Sequence, residues 1–136
     1  MNNIEQTLSI IKPDAVERSL NEDIKNIFVK NNLKILKSKK IHMSKEEAAE
    51  FYKVHQARPF YEDLCTYLSS GPIFVMVLEG HGAVALNRKL MGATNPQEAE
   101  SNTIRKLYGI SIDKNSVHGS DSVENAKIEI DFFFKD

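Results

Sequence analysis

The stretch Gly71-Pro72-Ile73-Phe74-Val75-Met76-Val77-Leu78 gives the first indication of the fold. A Gly-Pro step breaks the preceding structure, and a near-continuous apolar run follows it. The run is far too short to cross a membrane, and its composition is typical of a strand that is buried on both faces. We therefore predict a central β-strand over residues 73–78.

Upstream of this strand, short apolar runs alternate with helical patterns. Residues 7–11 predict a strand that stops near Pro13, and the lysine-interrupted residues 33–43 predict a second strand. Between them, apolar residues recur at helical spacing from Leu20 to Phe28, and Asn21 is the expected N-cap inside this stripe. Ser44 and Glu47 form a capping box, so a helix is expected from there to the Arg58-Pro59 step. Another helical stripe contains Tyr61, Leu64, Cys65 and Leu68.

Downstream, the patterns indicate mainly helices. Ala83, Leu86 and Leu90 predict a helix that ends at Gly92, and Asn95-Pro96 predicts a short helix. Irregular chain follows, with a short strand near residues 116–118, and a last helix begins at a cap on Asp121 or Ser122 and extends to Phe134. This order lacks strict βα alternation and favours an α+β domain with helices on a small, mostly antiparallel sheet.

Composition narrows the class of protein. The 136 residues, 15.4 kDa, predict a single domain over residues 1–136. The chain has 18 Lys+Arg against 19 Asp+Glu, and a net charge of -1 argues against a nucleic-acid binder. A lone Cys65 favours a reducing compartment, and the first residues resemble no secretory signal. We therefore expect a cytoplasmic protein without a membrane segment.

Two local patterns suggest binding sites. His42, His55, His81 and His118 do not have zinc-ligand spacing, but His118 precedes a predicted helix N-terminus, where anions bind. Alternatively, residues 115–122 form an ordinary capping loop in which His118 has no functional role. Residues 80–85 fit G-x-G-x-x-A, the fingerprint of a dinucleotide-binding module. A plain strand-to-helix turn also explains both glycines, and Glu100 lacks the strand that this fingerprint requires.

Six motifs that occur in order resemble those of the nucleoside diphosphate kinase family from about residue 7 to residue 134. They are Ile11-Lys12-Pro13-Asp14-Ala15, Arg58-Pro59-Phe60, Ser70-Gly71-Pro72, Met91-Gly92-Ala93-Thr94-Asn95-Pro96, Thr103-Ile104-Arg105 and Val117-His118-Gly119-Ser120-Asp121-Ser122.

The resemblance implies a ferredoxin-like α/β sandwich with a four-stranded antiparallel sheet covered by helices. It also implies γ-phosphoryl transfer from a nucleoside triphosphate such as ATP or GTP to a nucleoside diphosphate, by a ping-pong mechanism with broad base specificity. Mg²⁺ would be held mainly by the nucleotide phosphates. His118 matches the nucleophile, which Glu129 and Ser120 support. Phosphate, ribose and other active-site contacts fall on Lys12, Tyr52, Arg88, Thr94, Arg105 and Asn115. Phe60 matches the base-stacking residue, with Leu64 and Ile112 nearby.

The chain also departs from the family pattern. Asn102 replaces a common glycine, and asparagine tolerates the left-handed conformation. Lys106-Leu107-Tyr108 lacks the usual acid. The end at Asp136 resembles short bacterial forms, for which we expect a homo-oligomer, a tetramer or a hexamer. A phosphohistidine module without kinase activity is the remaining alternative, but it would not need a nucleoside cradle.

Overall fold

The computed structural model describes residues 4–53, 56–59, 61–111 and 114–134. Within these residues the strands are β1 (Ile4–Ile11), β2 (Lys34–Ile41), β3 (Ile73–His81) and β4 (Val117–Gly119). The α-helices are α1 (Pro13–Glu17), α2 (Asn21–Lys30), α3 (Lys45–Phe51), α4 (Tyr61–Leu68), α5 (Ala83–Met91), α6 (Ile104–Tyr108) and α7 (Val123–Phe133), and a 3₁₀-helix spans Pro96–Glu98.

The four strands form one antiparallel sheet in the order β2-β3-β1-β4. The apolar run that opened the sequence analysis is central, as predicted, and the strand continues beyond Leu78 to His81. The lysine-rich strand β2 lies at one edge of the sheet. This arrangement confirms the expected ferredoxin-like sheet.

Helices pack on both faces of the sheet because the central strands are apolar on both sides. Alternate residues of β1 separate into two cores: Ile11 packs with α2, α5 and α6, whereas Leu8 and Ile10 pack with α3, α4 and α7. His118 pairs with Ile10 in register and therefore shares its face of the sheet. The register thus directs His118 toward the core that contains α3 and α7.

Several helix boundaries differ from the sequence predictions. Asn21 is the first residue of α2 rather than its N-cap, which is Leu20. The helix that begins after Ser44 ends at Phe51, not at Arg58-Pro59, because Tyr52 leaves helical geometry and is buried as the C-cap. The capping box of Ser44 and Glu47 is present as predicted.

Two short helices were missed because five residues carry too little periodicity to be recognised. They are α1, with Pro13 as its first residue, and α6, whose N-cap Thr103 accepts a hydrogen bond from Lys106. Ser122, rather than Asp121, caps α7, and the segment after Asn95 is a single 3₁₀ turn. Asn102 adopts φ +71°, as its tolerance of the left-handed region predicts.

The antiparallel sheet excludes the dinucleotide-binding interpretation of residues 80–85, which requires neighbouring parallel strands. Gly82, with φ +55°, makes the turn from β3 into α5. At the N-terminus of that helix, the Val84 N–H donates to Glu5 Oε1 at 3.2 Å, so a carboxylate of this chain occupies the position. Among the described residues, no helix is long and apolar enough to cross a membrane.

Gly92→Ala should destabilise the fold by about 2–4 kcal/mol. Gly92 has φ 85° and ψ -177°, a region that other residues avoid, and an added Cβ would lie 2.5 Å from Thr103 Oγ1. The matched control is Gly71→Ala, whose Cβ would meet its nearest neighbour, Pro13, at an ordinary 3.7 Å. Thermal unfolding of both variants measures the difference, and equal melting temperatures would contradict the prediction.

Candidate functional site

A histidine, a carboxylate and a hydroxyl form the centre of the site. His118 Nε2 lies 3.2 Å from Glu129 Oε1, and the same oxygen accepts a hydrogen bond from Ser120 Oγ at 2.6 Å. Glu129 lies in the body of α7. His118 therefore contacts a side chain from the middle of this helix, whereas its position in the sequence suggested that it would face the helix N-terminus. The imidazole and the carboxylate are both only about one-fifth exposed. The three residues are therefore brought together as the resemblance implied.

Two aromatic residues at the end of α3 pack beside this centre. The ring of Phe51 meets the imidazole of His118 edge to face, with 5.4 Å between centroids, and also contacts the ring of Phe133. Burial and then the negative charge of Glu129 raise the pKa of Tyr52, so its phenol stays protonated. Tyr52 was expected in the site, whereas Phe51 was missed because its apolar spacing suggests only a core position.

A second group contains a buried cation held by amide contacts. Lys12 Nζ donates to Asn115 Oδ1 at 3.0 Å, and Asn115 Nδ2 donates to the carbonyl of Thr94 at 3.2 Å. Lys12 and Asn115 are buried, whereas Thr94 is exposed. The structure thus brings together three residues that the sequence separates by up to 103 positions.

Arg105 places a second buried cation near His118. Its Nη2 donates to the carbonyl of Val117 at 2.9 Å and its Nη1 to that of Gly92 at 3.0 Å, while Nε has no hydrogen-bond partner among the described residues. Burial, and then the positive charge of Arg88, lowers the pKa of Arg105 to about 10. The guanidinium is therefore still charged at neutral pH. Because burying an unpaired charge costs free energy, a bound anion would stabilise this group.

The remaining expected residues have different positions. Arg88 is an exposed residue of α5, and its positive charge contributes to the lowered pKa of Arg105. Leu64 lines a cleft of about 610 Å³ whose wall also includes Asp14, Tyr67 and Lys114 but not His118, Lys12 or Arg105. Phe60 and Ile112, the other base-binding candidates, lie outside the described residues.

The described part of the site contains buried positive side chains. Among the described residues, no group of three or more His, Cys, Asp or Glu side chains could hold a metal ion. The cations Lys12 and Arg105 are buried within the site instead. Such surroundings suit phosphate oxygens, which themselves bind Mg²⁺.

Comparison with known proteins agrees with this geometry. The sequence profile described as "Nucleoside diphosphate kinase" matches residues 5–136. The chain belongs to the nucleoside diphosphate kinase family. The nucleoside diphosphate kinase of Campylobacter jejuni subsp. jejuni serotype O:6 is 59% identical over 132 residues, which are 97% of this chain and 96% of that protein. That of Rhizorhabdus wittichii is 58% identical over 131 residues, 96% of this chain and 94% of the relative.

Solved structures of nucleoside diphosphate kinases share the fold. The enzyme of Aquifex aeolicus superposes with a TM-score of 0.95 at 40% identity, over 96% of this chain and 95% of that one. The enzyme of Encephalitozoon cuniculi gives 0.94 at 40% identity, over 97% and 90%. The family, the enzyme class and the fold expected from the motifs are therefore confirmed.

Proposed function

We propose that this nucleoside diphosphate kinase transfers the γ-phosphoryl group of a nucleoside triphosphate to a nucleoside diphosphate through a phosphohistidine on His118. The observation that carries the proposal is the contact of His118 with Glu129. The buried cations Lys12 and Arg105 contact the residues just before His118 in the chain. A nucleophile next to positive charge is the combination that phosphoryl transfer requires.

The partner of His118 assigns the tautomer of its ring. An ionised carboxylate only accepts hydrogen bonds, so Nε2, which faces Glu129, carries the proton. The lone pair then lies on Nδ1, which becomes the nucleophile. Ser120 donates to the same oxygen of Glu129 and holds the carboxylate in place. Glu129 also stabilises the positive charge that develops on the ring during attack.

The reaction divides into two nearly symmetric steps. Nδ1 attacks the γ-phosphorus, and an N–P bond forms as the bond from that phosphorus to the bridging oxygen breaks; the electron pair leaves with the diphosphate. A terminal oxygen of a second diphosphate then attacks the phosphorus, the N–P bond breaks, and its electron pair returns to Nδ1. A neutral imidazole begins and ends the cycle, so no other group is consumed.

Positive side chains stabilise the phosphoryl group during transfer. Lys12 and Arg105 are buried and contact the segment just before His118, and Arg88 adds a third positive charge near Arg105. Fixed charges that need no reorganisation lower the barrier most effectively. Mg²⁺ bound mainly by the nucleotide phosphates would neutralise part of their charge. This set of cations favours the kinase over a phosphohistidine module, which would need no cradle for a triphosphate.

His118→Asn should lower the rate of phosphoryl transfer by on the order of 10⁴-fold or more, because asparagine cannot carry the phosphoryl group. The fold and nucleotide binding should be retained. The wild-type chain given labelled ATP without an acceptor should acquire label that is labile to acid and stable to base. His81→Asn, at an exposed position, is the matched control. Wild-type turnover by the His118 variant would disprove the assignment.

Base specificity should be broad if Phe60 binds the base by stacking. Stacking contributes on the order of 1–3 kcal/mol per base and tolerates every base. Purine and pyrimidine diphosphates should therefore differ in kcat/KM by at most about two orders of magnitude, with purines ahead. Phe60→Ala should lower kcat/KM for all of them and shrink the purine advantage. A preference above about a thousandfold for one base would instead indicate recognition of its hydrogen-bonding edge.

We also expect a homo-oligomer larger than a dimer, a tetramer or a hexamer. The unpaired edge of β2 provides one surface, and the exposed apolar residues Leu107 and Ile110 provide a second. Two separate surfaces allow assembly beyond a dimer. Light scattering at several micromolar concentrations measures the mass, and a single species of 15.4 kDa would contradict the expectation.

A further inference from the structure

A strained turn separates Asn115, which holds the ammonium of Lys12, from the strand that carries His118. Ser116, between them, has φ +74°, in the left-handed region that non-glycine residues rarely adopt. The Val117 N–H donates to the carbonyl of Asn115 at 2.9 Å, which closes a three-residue γ-turn around Ser116. Such a turn persists only where neighbouring groups hold it.

The carbonyl and the hydroxyl of Ser116 both form hydrogen bonds with residues near the end of β1. Its carbonyl accepts a hydrogen bond from the Lys12 N–H at 2.8 Å. Its hydroxyl is fully buried and donates to Asp14 Oδ2 at 2.8 Å. Arg18 Nη2 lies 3.3 Å from the same hydroxyl. The side chain of Ser116 is therefore fixed by a buried carboxylate.

Asp14 is itself fixed from two other elements. Its Oδ2 accepts from Arg18 Nη2 at 3.0 Å, and its Oδ1 accepts from the hydroxyl of Tyr67 on α4. The Asp14 N–H donates back to the Tyr67 oxygen at 3.0 Å. Burial and the neighbouring carboxylate raise the pKa of Tyr67, so its phenol remains a donor. We name Asp14, Arg18, Tyr67 and Ser116 the Asp14 cluster.

The turn sets the position of the chain just before it enters β4. His118 and Val117 are paired with Ile10 and Ile11 in the sheet, so the backbone of the strand has its own support. Asn115 lies outside the ladder, and the conformation of Ser116 sets its position. Because Asn115 holds the ammonium of Lys12 at 3.0 Å, a change at Ser116 moves both members of the pair.

We propose that the Asp14 cluster positions the Lys12–Asn115 pair for the phosphates of the nucleotide by holding the γ-turn at Ser116. Ser116, Asp14 and Tyr67 are then positioning residues of the proposed phosphoryl transfer, on which this inference rests, and they act through Lys12 and Asn115. The reactivity of His118 toward a donor without a nucleoside diphosphate should not depend on the cluster.

The test compares two substitutions of Ser116. Ser116→Ala removes the hydroxyl and keeps the strained Cβ, so the turn relaxes and kcat/KM for ATP in His118 phosphorylation should fall about tenfold. Ser116→Gly also removes the hydroxyl, but glycine adopts positive φ without strain and should restore kcat/KM to within about threefold of wild type. Equal losses in both variants, or no loss in Ser116→Ala, would overturn the proposal.

A second donor separates positioning of the phosphate cradle from damage to the nucleophile. Phosphoramidate, a small phosphoryl donor without a nucleoside diphosphate, should phosphorylate His118 in Ser116→Ala at the wild-type rate within about threefold. A parallel loss with both donors would show that the cluster acts on His118 itself and would overturn the proposal. If wild-type His118 is phosphorylated by neither donor, the proposed function fails instead.

Tyr67→Phe tests the cluster through the partner of Asp14 on α4. This test remains valid even if the fold does not tolerate a change at Ser116. The loss of its hydroxyl leaves Asp14 less restrained, and kcat/KM for ATP should fall several-fold while the rate with phosphoramidate is unchanged. Tyr108→Phe is the matched control, because Arg18 contacts the main-chain carbonyl of Tyr108, which this substitution keeps. Equal kcat/KM values for the two tyrosine variants would contradict the role of Tyr67.

Discussion

Antiparallel pairing of β1 with β4 brings the two halves of the site together. Ile10 lies opposite His118 and Ile11 opposite Val117, and the Lys12 N–H extends the pairing to the carbonyl of Ser116. Residues about 100 positions apart are thereby fixed by main-chain hydrogen bonds rather than by flexible side chains. The other contacts of the site, from the Lys12–Asn115 pair to the Asp14 cluster, depend on this short ladder.

The two faces of β4 meet different requirements. One face presents His118 to Glu129 and to the ring of Phe51. On the other, a Cβ at Gly119 would collide with the amide of Asn87 and with Met91, both on α5. The strand is therefore packed closely from behind, and the imidazole projects from a rigid support. In the proposed reaction, rigidity of this kind would keep the imidazole within reach of a bound phosphate.

Buried charges of opposite sign have different kinds of partners in this structure. The buried carboxylate Asp14 has partners in Arg18, Ser116 and Tyr67. Arg105, by contrast, has only carbonyl partners among the described residues, and its pKa is lowered mainly by burial. An unpaired buried cation costs stability, which a polyphosphate ligand would offset.

Local patterns in the sequence determined the strands, the long helices and the family. The apolar run before Leu78, the capping box at Ser44 and the His118 motif each depend on neighbouring residues alone. The sequence did not predict the five-residue helices α1 and α6 or the early end of α3, because tertiary packing rather than periodicity determines them. Only the tertiary structure shows that Phe51 packs on His118 and that Ser116 is held by Asp14. These contacts join distant segments through sheet register and buried hydrogen bonds, and neither leaves a local sequence pattern.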